Sequence, residues 1–249
     1  MNNSSPLISI ITVVFNGVDT LEQTMESVMS QTYKNVEYII VDGGSTDGTI
    51  DIIKKYKDKL AYWVSESDKG IYNAMNKGID KCNGELIGIV NSDDYYEPNT
   101  VEIVVNRYNS ENKKEGVYYG FLKLWKDGKE HAIRRFHHNF PKDHMIQHPT
   151  WFVSKSIYEK FGKFDDSYKI AGDFELFQRL VKHNVEFFPI DAILSNFRIG
   201  GISSYAGRLG AMEYLDLKYK LGWYNRKKYN LLKLKMKIEQ IFVKKPILS

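Results

Sequence analysis

The 249-residue chain has a single cysteine, Cys82. An intrachain disulfide is therefore excluded, and such usage fits a reducing compartment. Cys82 falls near the end of a predicted helix, where packing is its expected role. No window approaches the ~18 apolar residues needed to span a bilayer. The start, Met1-Asn2-Asn3-Ser4-Ser5-Pro6, lacks the basic and apolar regions of a secretory signal. Internal repeats and low-complexity segments are missing too. The formal net charge is only +4, too small to point to nucleic acid by itself. The expected setting is the cytosol or the cytosolic face of a membrane.

What is present reads as a soluble globular protein: 43% hydrophobic and 27% charged residues. The length suits one large α/β domain or two small ones. Charge is unevenly spread. Residues 200–249 carry 11 basic and 3 acidic side chains, against 24 and 28 in the first 199.

The first ~110 residues alternate strand and helix patterns, as in a mostly parallel sheet. Leu7 to Phe15 is a β-rich run without polar alternation, expected of a strand buried on both faces. Thr20-Leu21-Glu22-Gln23 has the form of a capping box before a helix. Val36 to Val41, Leu60 to Val64 and Leu86 to Val90 are further predicted strands. Helices are expected over Ile71 to Lys81 and from Pro98 to Tyr108. In the second half, Asp127-Gly128 reads as the turn of a hairpin joining Val117 to Trp125 and His131 to Phe136. Gln147 to Val153 is a candidate strand. Ser154 is placed to cap a short helix that Gly162 ends. Asp173 to His183 is predicted helical, and Val185 to Pro189 is expected as a closing strand.

Four loops leave the predicted parallel strands on one sheet edge, so they converge, and ligands of open α/β sheets bind there. They carry Asn16, Asp42, Asp68 and the pair Asp93-Asp94. A carboxylate at Asp42 can accept the imide N–H of a uracil; the same residue also suits an Asp-capped turn. Asp68 can hold a base or ribose hydroxyl, or simply cap a helix. Adjacent carboxylates at Asp93 and Asp94 repel unless a cation or hydroxyl offsets the repulsion, although Ser-Asp-Asp also makes good turns. Neighbouring residues point apart, so one can take ribose hydroxyls while the other reaches a divalent ion on a diphosphate. Mg²⁺ or Mn²⁺ held partly by substrate phosphates needs few protein ligands.

The segments Ile10-Ile11-Thr12-Val13-Val14-Phe15-Asn16, Val41-Asp42-Gly43-Gly44-Ser45-Thr46-Asp47-Gly48-Thr49, Ser65 to Gly78 and Asn91-Ser92-Asp93-Asp94 resemble the four blocks of family 2 glycosyltransferases, in the family's order. These are inverting enzymes with the GT-A fold. The resemblance covers roughly residues 7–97. It implies that Thr12, Val14 and Asn16 line a nucleotide pocket, Asp42 reads the uracil, Asp68 supports the nucleoside, Asp93 holds the ribose and Asp94 binds Mn²⁺ or Mg²⁺. Asn73 departs from the family, which often has Asp there. Ala171-Gly172-Asp173-Phe174-Glu175-Leu176 matches the acid at a helix start that serves as base in the family. Asp173 is the chosen base and Glu175 the reserve; a helix N-cap is the other reading of Asp173. Gln147-His148-Pro149-Thr150 resembles the segment before the acceptor-side helix of bacterial members, where His148 could meet acceptor or diphosphate. His137-His138 is expected in a solvated loop. Arg198-Ile199-Gly200-Gly201-Ile202-Ser203 resembles a block of bacterial polysaccharide members and suits a loop closing over the diphosphate, or a plain turn.

The expected fold is α/β: a GT-A domain with a mostly parallel central sheet flanked by helices, a small antiparallel sheet and a C-terminal helical tail. One catalytic domain spans 1–205, with a nucleotide-binding half at 7–110 and an acceptor-binding half at 111–205. A basic tail follows over 206–249. In it Leu231, Leu234, Ile238, Ile241 and Phe242 share one helical face among Lys233, Lys235, Lys237, Lys244 and Lys245. Such a helix can lie on anionic lipid through 206–245 or pack on the domain. The expected activity is transfer of sugar from a UDP-sugar to an acceptor hydroxyl, with inversion. The acceptor implied by the resemblance is a polyprenyl-diphosphate-linked saccharide at the cytoplasmic face of a bacterial inner membrane. A nucleotidyltransferase and a non-catalytic nucleotide-binding protein are the alternatives. The first would need a basic phosphate-grasping loop, and Val13 to Gly17 has no Lys or Arg.

Overall fold

Seven residues rich in isoleucine and valine, Ile8–Val14, form strand β1, and all seven are buried. The computed structural model describes residues 5–141, 145–200 and 207–242. β1 is flanked by parallel partners on both sides, β2 (Val36–Asp42) and β4 (Leu86–Ile89); β3 (Tyr62–Ser65) extends the sheet beyond β2. Helices α1 (Leu21–Met29), α2 (Thr49–Lys55), α3 (Ile71–Ile79) and α4 (Thr100–Ser110) follow these strands, with the short β5 (Tyr95–Tyr96) before α4. Because β1 to β4 are parallel, the loops after them share one edge. The alternating side chains of β1 feed two cores. Ile11 and Val13 enter one, Ile8, Ile10 and Val14 the other. Each such side chain withdrawn from water contributes about 1.5–3 kcal/mol.

The second half completes a nine-stranded mixed sheet ordered β3-β2-β1-β4-β8-β6-β9-β5, with β7 hanging on β6. Here β6 is Val117–Lys126, β7 Lys129–Arg134, β8 Phe152–Ser154 and β9 Phe187–Arg198. The hairpin turn between β6 and β7 stands as expected, with Asp127 and Gly128 at positive φ. Three local expectations shift. Residues 148–150 form a 3-10 turn, and the strand begins only at Phe152. Ser154 precedes α5 (Lys155–Phe161), but its hydroxyl takes the Gly116 N–H at 3.0 Å and caps nothing. The closing strand runs to Arg198, well past Pro189, because β6 pairs with it in parallel as far as Trp125.

α6 (Gly172–Lys182) packs Phe174, Leu176, Phe177 and Leu180 into the core that holds Ile11 and Val13. The basic C-terminal stretch is two helices, α7 (Gly207–Lys220) and α8 (Arg226–Phe242), separated around Gly222 at φ 74°. Leu215 and Leu217 of α7 are buried, and Leu217 joins the core that holds Phe174 and Phe177. α8 folds back on α7: the Tyr219 and Tyr229 rings stack 4.3 Å apart, and Tyr229 donates to Asp216 at 2.8 Å. Leu231 and Leu234 remain exposed. No helix among the described residues is long and apolar enough to cross a membrane. Ala206, Lys244 and Lys245, the side chains of Ile238, Ile241 and Phe242, and the Gly201-Ile202-Ser203 part of the expected closing loop lie outside the described residues.

Candidate active site

The loops after β1 and β2 are stitched into one surface by their own polar groups. Asn16 takes a left-handed conformation (φ 51°), donates its N–H to the Ser45 hydroxyl at 2.7 Å and accepts from the Thr46 N–H at 2.9 Å. Gly17 and Val18 donate to Thr49 and Asp47. Asp42 is fully buried at the end of β2. Its carboxylate accepts from the Gly44 and Ser45 N–H groups (3.1 and 3.0 Å), from the Ser65 hydroxyl (2.6 Å) and from the Ser45 hydroxyl. It organises the glycine-rich turn and faces inward. Asp68, half-buried, accepts the Gly70 N–H at 2.7 Å. Its other oxygen lies over Gly43, where a Cβ would stand 2.6 Å from it. Glycine at 43 is what lets the Asp42 and Asp68 loops meet.

Thr12 and Val14 do not reach this opening. Thr12 is buried with its hydroxyl 2.9 Å from the Tyr38 hydroxyl, and Val14 packs into the core. The alternation of β1 turns both inward. The residue that opens on the site is Phe15, 61% exposed, beside Gly43. Phe15 falls inside the run expected to be buried on both faces, but β1 ends at Val14 and the ring beyond it faces outward.

The acidic turn after β4 carries two unlike carboxyls. Asp93 is half-buried and Asp94 fully buried. Burial raises the pKa of both, and the neighbouring Asp93 raises Asp94 further; the Arg198 guanidinium partly opposes the rise. One Asp94 oxygen accepts the Arg198 N–H at 3.1 Å. The other, and the Asn91 side-chain oxygen in the same turn, have no hydrogen-bond partner among the described residues. Two unpartnered hard oxygens suit Mg²⁺ or Mn²⁺. No group of three or more His, Cys, Asp or Glu that could hold a metal occurs among the described residues, so such an ion would draw its remaining ligands from substrate and water. Arg198 ties the turn down. Its guanidinium donates to the Asp93 carbonyl and the Gln23 side chain and lies 5.0 Å over the Tyr95 ring. Gln23 therefore does not close the expected capping box, and Thr20 makes no side-chain cap. A charged donor makes the stronger bond.

Asp173 sits in the first turn of α6, one residue inside the helix, and is not its N-cap. It is half-buried, and burial pushes its carboxyl up to about 6. Its Oδ1 accepts the Phe174 N–H at 2.7 Å and faces the Tyr72 hydroxyl at 3.4 Å. Tyr72 also donates to the Ile170 carbonyl at 2.6 Å. Gly172 allows this, since a Cβ there would stand 2.7 Å from the Tyr72 ring. Tyr72 belongs to the first turn of α3, which starts from the loop carrying Asp68, so it links Asp173 to the edge bearing the other acids. Glu175 is engaged: it pairs bidentately with Arg179 (3.1 and 2.8 Å), which braces the carbonyls after α5.

The remaining candidates are structural in their contacts. His148 is buried edge-on to Trp151 and Phe164, and burial lowers its pKa to about 4. Of the pair expected in a solvated loop, His137 is exposed, whereas His138 is half-buried, stacks on Phe187 and meets the Tyr119 hydroxyl at 2.9 Å. Asn73 bridges Asp166 and the Lys69 N–H; an Asp there would face Asp166 with like charge. Buried Cys82 has its thiol pushed up to about 12 and is inert at neutral pH.

A model of the family described as Glycosyl transferase family 2 matches residues 9–179. The chain belongs to this family. An uncharacterized glycosyltransferase of Rickettsia typhi is 32% identical over 209 residues, covering 78% of this chain and 65% of the relative. The chain thus spans about two thirds of that relative's length. An uncharacterized glycosyltransferase of Mycobacterium tuberculosis is 29% identical over 233 residues, covering 88% and 87%. Among solved structures, S. aureus TarS 1-349 in complex with UDP-GlcNAc gives a TM-score of 0.65 at 18% identity, covering 77% of this chain and 58% of that one. A mannosyltransferase from Pyrobaculum calidifontis with GDP-Man and Mn²⁺ gives 0.66 at 16% identity, covering 90% and 66%. At such identities the likeness is one of fold: a mixed sheet flanked by helices, the GT-A architecture of family 2.

Proposed function

We propose that this family 2 member transfers a sugar from a UDP-sugar to an acceptor hydroxyl with inversion, and that Asp173 is the base. The observation that carries the reading is a half-buried carboxyl at the start of α6, 3.4 Å from the hydroxyl of Tyr72 on the helix that leaves the Asp68 loop, at the sheet edge that also carries Asp42, Asp93 and Asp94; burial raises its pKa to about 6. A base of that pKa matches proton abstraction near neutral pH. Asp173 takes the acceptor's hydroxyl proton as its oxygen attacks the anomeric carbon from the face opposite UDP. The bond from that carbon to the diphosphate oxygen breaks in the same displacement, so a single carboxylate suffices.

The base of the nucleotide lies against Phe15, over Gly43 and Asp68, with Asn16 shaping the rim. Asp42 reads the uracil imide where the Ser45 hydroxyl yields Oδ1. Asp93 takes ribose hydroxyls, and Asp94 with Asn91 would hold Mg²⁺ or Mn²⁺. Such an ion, when bound, offsets charge on the departing diphosphate. Arg198 keeps the acidic turn in place beside it. The exposed Leu231 and Leu234, among lysines of α8, suit contact with an anionic membrane surface. A saccharide linked to polyprenyl diphosphate at the cytoplasmic face of a bacterial inner membrane is the acceptor this surface fits.

Calorimetric titration of UDP, GDP and dTDP, with Mn²⁺ and then EDTA, tests the donor side. Metal-dependent preference for UDP is expected; preference for another nucleotide overturns the uracil assignment. For the base, Asp173→Asn is expected to keep UDP affinity and lower transfer by roughly 10²–10⁴-fold. Undiminished transfer by that variant removes Asp173 from the chemistry.

A further inference from the structure

The segment Lys169-Ile170-Ala171 leads into the helix that carries Asp173, and α6 has no side-chain cap of its own. Its three consecutive N–H groups converge on one carboxylate. Glu213, half-buried on α7, accepts from Lys169 at 2.8 Å with one oxygen, and from Ile170 and Ala171 at 2.8 and 2.9 Å with the other. On the other side the Ile170 carbonyl takes the Tyr72 hydroxyl at 2.6 Å. The segment is thus clamped between α3 and α7. A second feature of the same face of α7 supports this approach. Gly210, one turn before Glu213, lies against Ile170, where a Cβ would stand 3.0 Å from its Cγ2. Tyr214, the next residue, packs its ring 5.2 Å from that of Phe174. Residue 213 lies outside the 9–179 stretch that the family model matches.

We infer that Glu213 is a positioning residue for the reaction, fixing the start of α6 and hence the carboxylate of Asp173 from a helix beyond the matched family region. The inference rests on the reading of Asp173 as base. Hydrogen bonds to a charged acceptor are about twice as strong as neutral ones, so three on one carboxylate hold the loop more firmly than a turn of its own would. The titratable groups facing Asp173 are Tyr72 from α3, whose hydroxyl stands 3.4 Å away, and, acting through its charge alone, Tyr214 from α7; burial raises the pKa of both. Loosening α7 admits water beside Asp173 and lowers its pKa.

The test uses the full chain with Glu213→Ala and the milder Glu213→Gln, whose carbonyl oxygen still accepts two N–H groups. Three quantities are read: amide hydrogen exchange of residues 169–171, the Asp173 titration midpoint by carboxyl NMR, and UDP affinity with Mn²⁺. For Glu213→Ala, exchange of those amides rises at least about tenfold and the midpoint falls from about 6 toward the ordinary carboxylate range. UDP affinity stays within about twofold, because among the described residues the side-chain hydrogen bonds of α7 go to Tyr168, to the segment 169–171 and to α8 and not to the nucleotide loops, while UDP release from a UDP-sugar slows by roughly 10²-fold in kcat. Glu213→Gln gives intermediate values. Unchanged exchange and midpoint in both variants overturn the inference. If Glu213→Ala does not fold, Glu213→Gln decides by the same readings. Failure of the base assignment is seen separately, as normal transfer by Asp173→Asn; the exchange and midpoint readings do not depend on it.

Discussion

Asp173 has two consequences that follow from one fact, its burial. Its folded pKa of about 6 exceeds the ordinary ~3.9 of an unfolded Asp. As the proposed base it must be ionised to take a proton, so kcat is expected to fall as pH drops through about 6. A pH–rate profile with no acid limb near that value would contradict the assignment. The same raised pKa means that the folded state binds the proton more readily. Stability linked to this group is therefore full below the unfolded pKa and is lost as pH rises through about 6. Asp173→Asn removes that loss and keeps an acceptor for the Phe174 N–H. At pH 7 it is expected to stabilise the fold by on the order of 2 kcal/mol, discounted for the solvent that reaches the side chain, and to raise Tm. At Asp42 the competition is with Ser45. Ser45→Ala frees Oδ1, so UDP affinity is expected to hold or improve if Asp42 reads the uracil; Asp42→Asn, which disturbs the turn itself, is expected to weaken it. A marked loss with Ser45→Ala would confine Asp42 to shaping the loop.

At the scale of elements, the end of β9 and the turn after β4 act as one unit. The strand delivers Arg198 to the acidic turn, and α1 offers Gln23 as the other anchor. Hydrogen bonds to charged groups contribute about 1.5–3 kcal/mol each. Arg198→Ala is expected to loosen the turn and weaken UDP binding in Mn²⁺ by about tenfold or more, measured calorimetrically. Asp94→Ala is expected to abolish the metal dependence of UDP affinity; an unchanged dependence would move the ion elsewhere. Local pattern could not foresee this unit. Thr20-Leu21-Glu22-Gln23 has every residue of a capping box, yet Gln23 is taken by a guanidinium 175 positions away in sequence. Ser154 likewise stands at a helix start and bonds Gly116 instead.

For the whole molecule, the C-terminal helices divide by burial. α7 supplies Leu215 and Leu217 to the interior, about 1.5–3 kcal/mol each, and α8 leaves Leu231 and Leu234 exposed. Truncation after Trp223 is therefore expected to leave Tm nearly unchanged and to reduce co-sedimentation with anionic vesicles. Truncation before Gly207 is expected to lower Tm sharply, because it uncovers Phe174 and removes the partner of the segment before α6. If the two truncations lower Tm equally, the division is wrong.

The parallel core was legible in the sequence because each strand is a short run of mostly apolar residues, β-branched in β1 and β2 and aromatic in β3, closed by a polar loop, a signal carried within ten residues. So was the set of acids on its edge, since every loop leaves a parallel strand in the same direction. The orientation of those acids was not legible. Whether Asp42 faces a ligand or its own turn depends on Ser65, and whether Thr12 meets a nucleotide or Tyr38 depends on the sheet's neighbours. The surroundings of Asp173 come from Tyr72, about 100 residues upstream, and from α7 beyond α6. The sequence by itself determined the strands, the edge and the kinds of side chain placed there. Only the tertiary structure decided which carboxylates are buried, which are held, and which have their pKa raised by burial, because desolvation and hydrogen bonding are set by residues brought together in space.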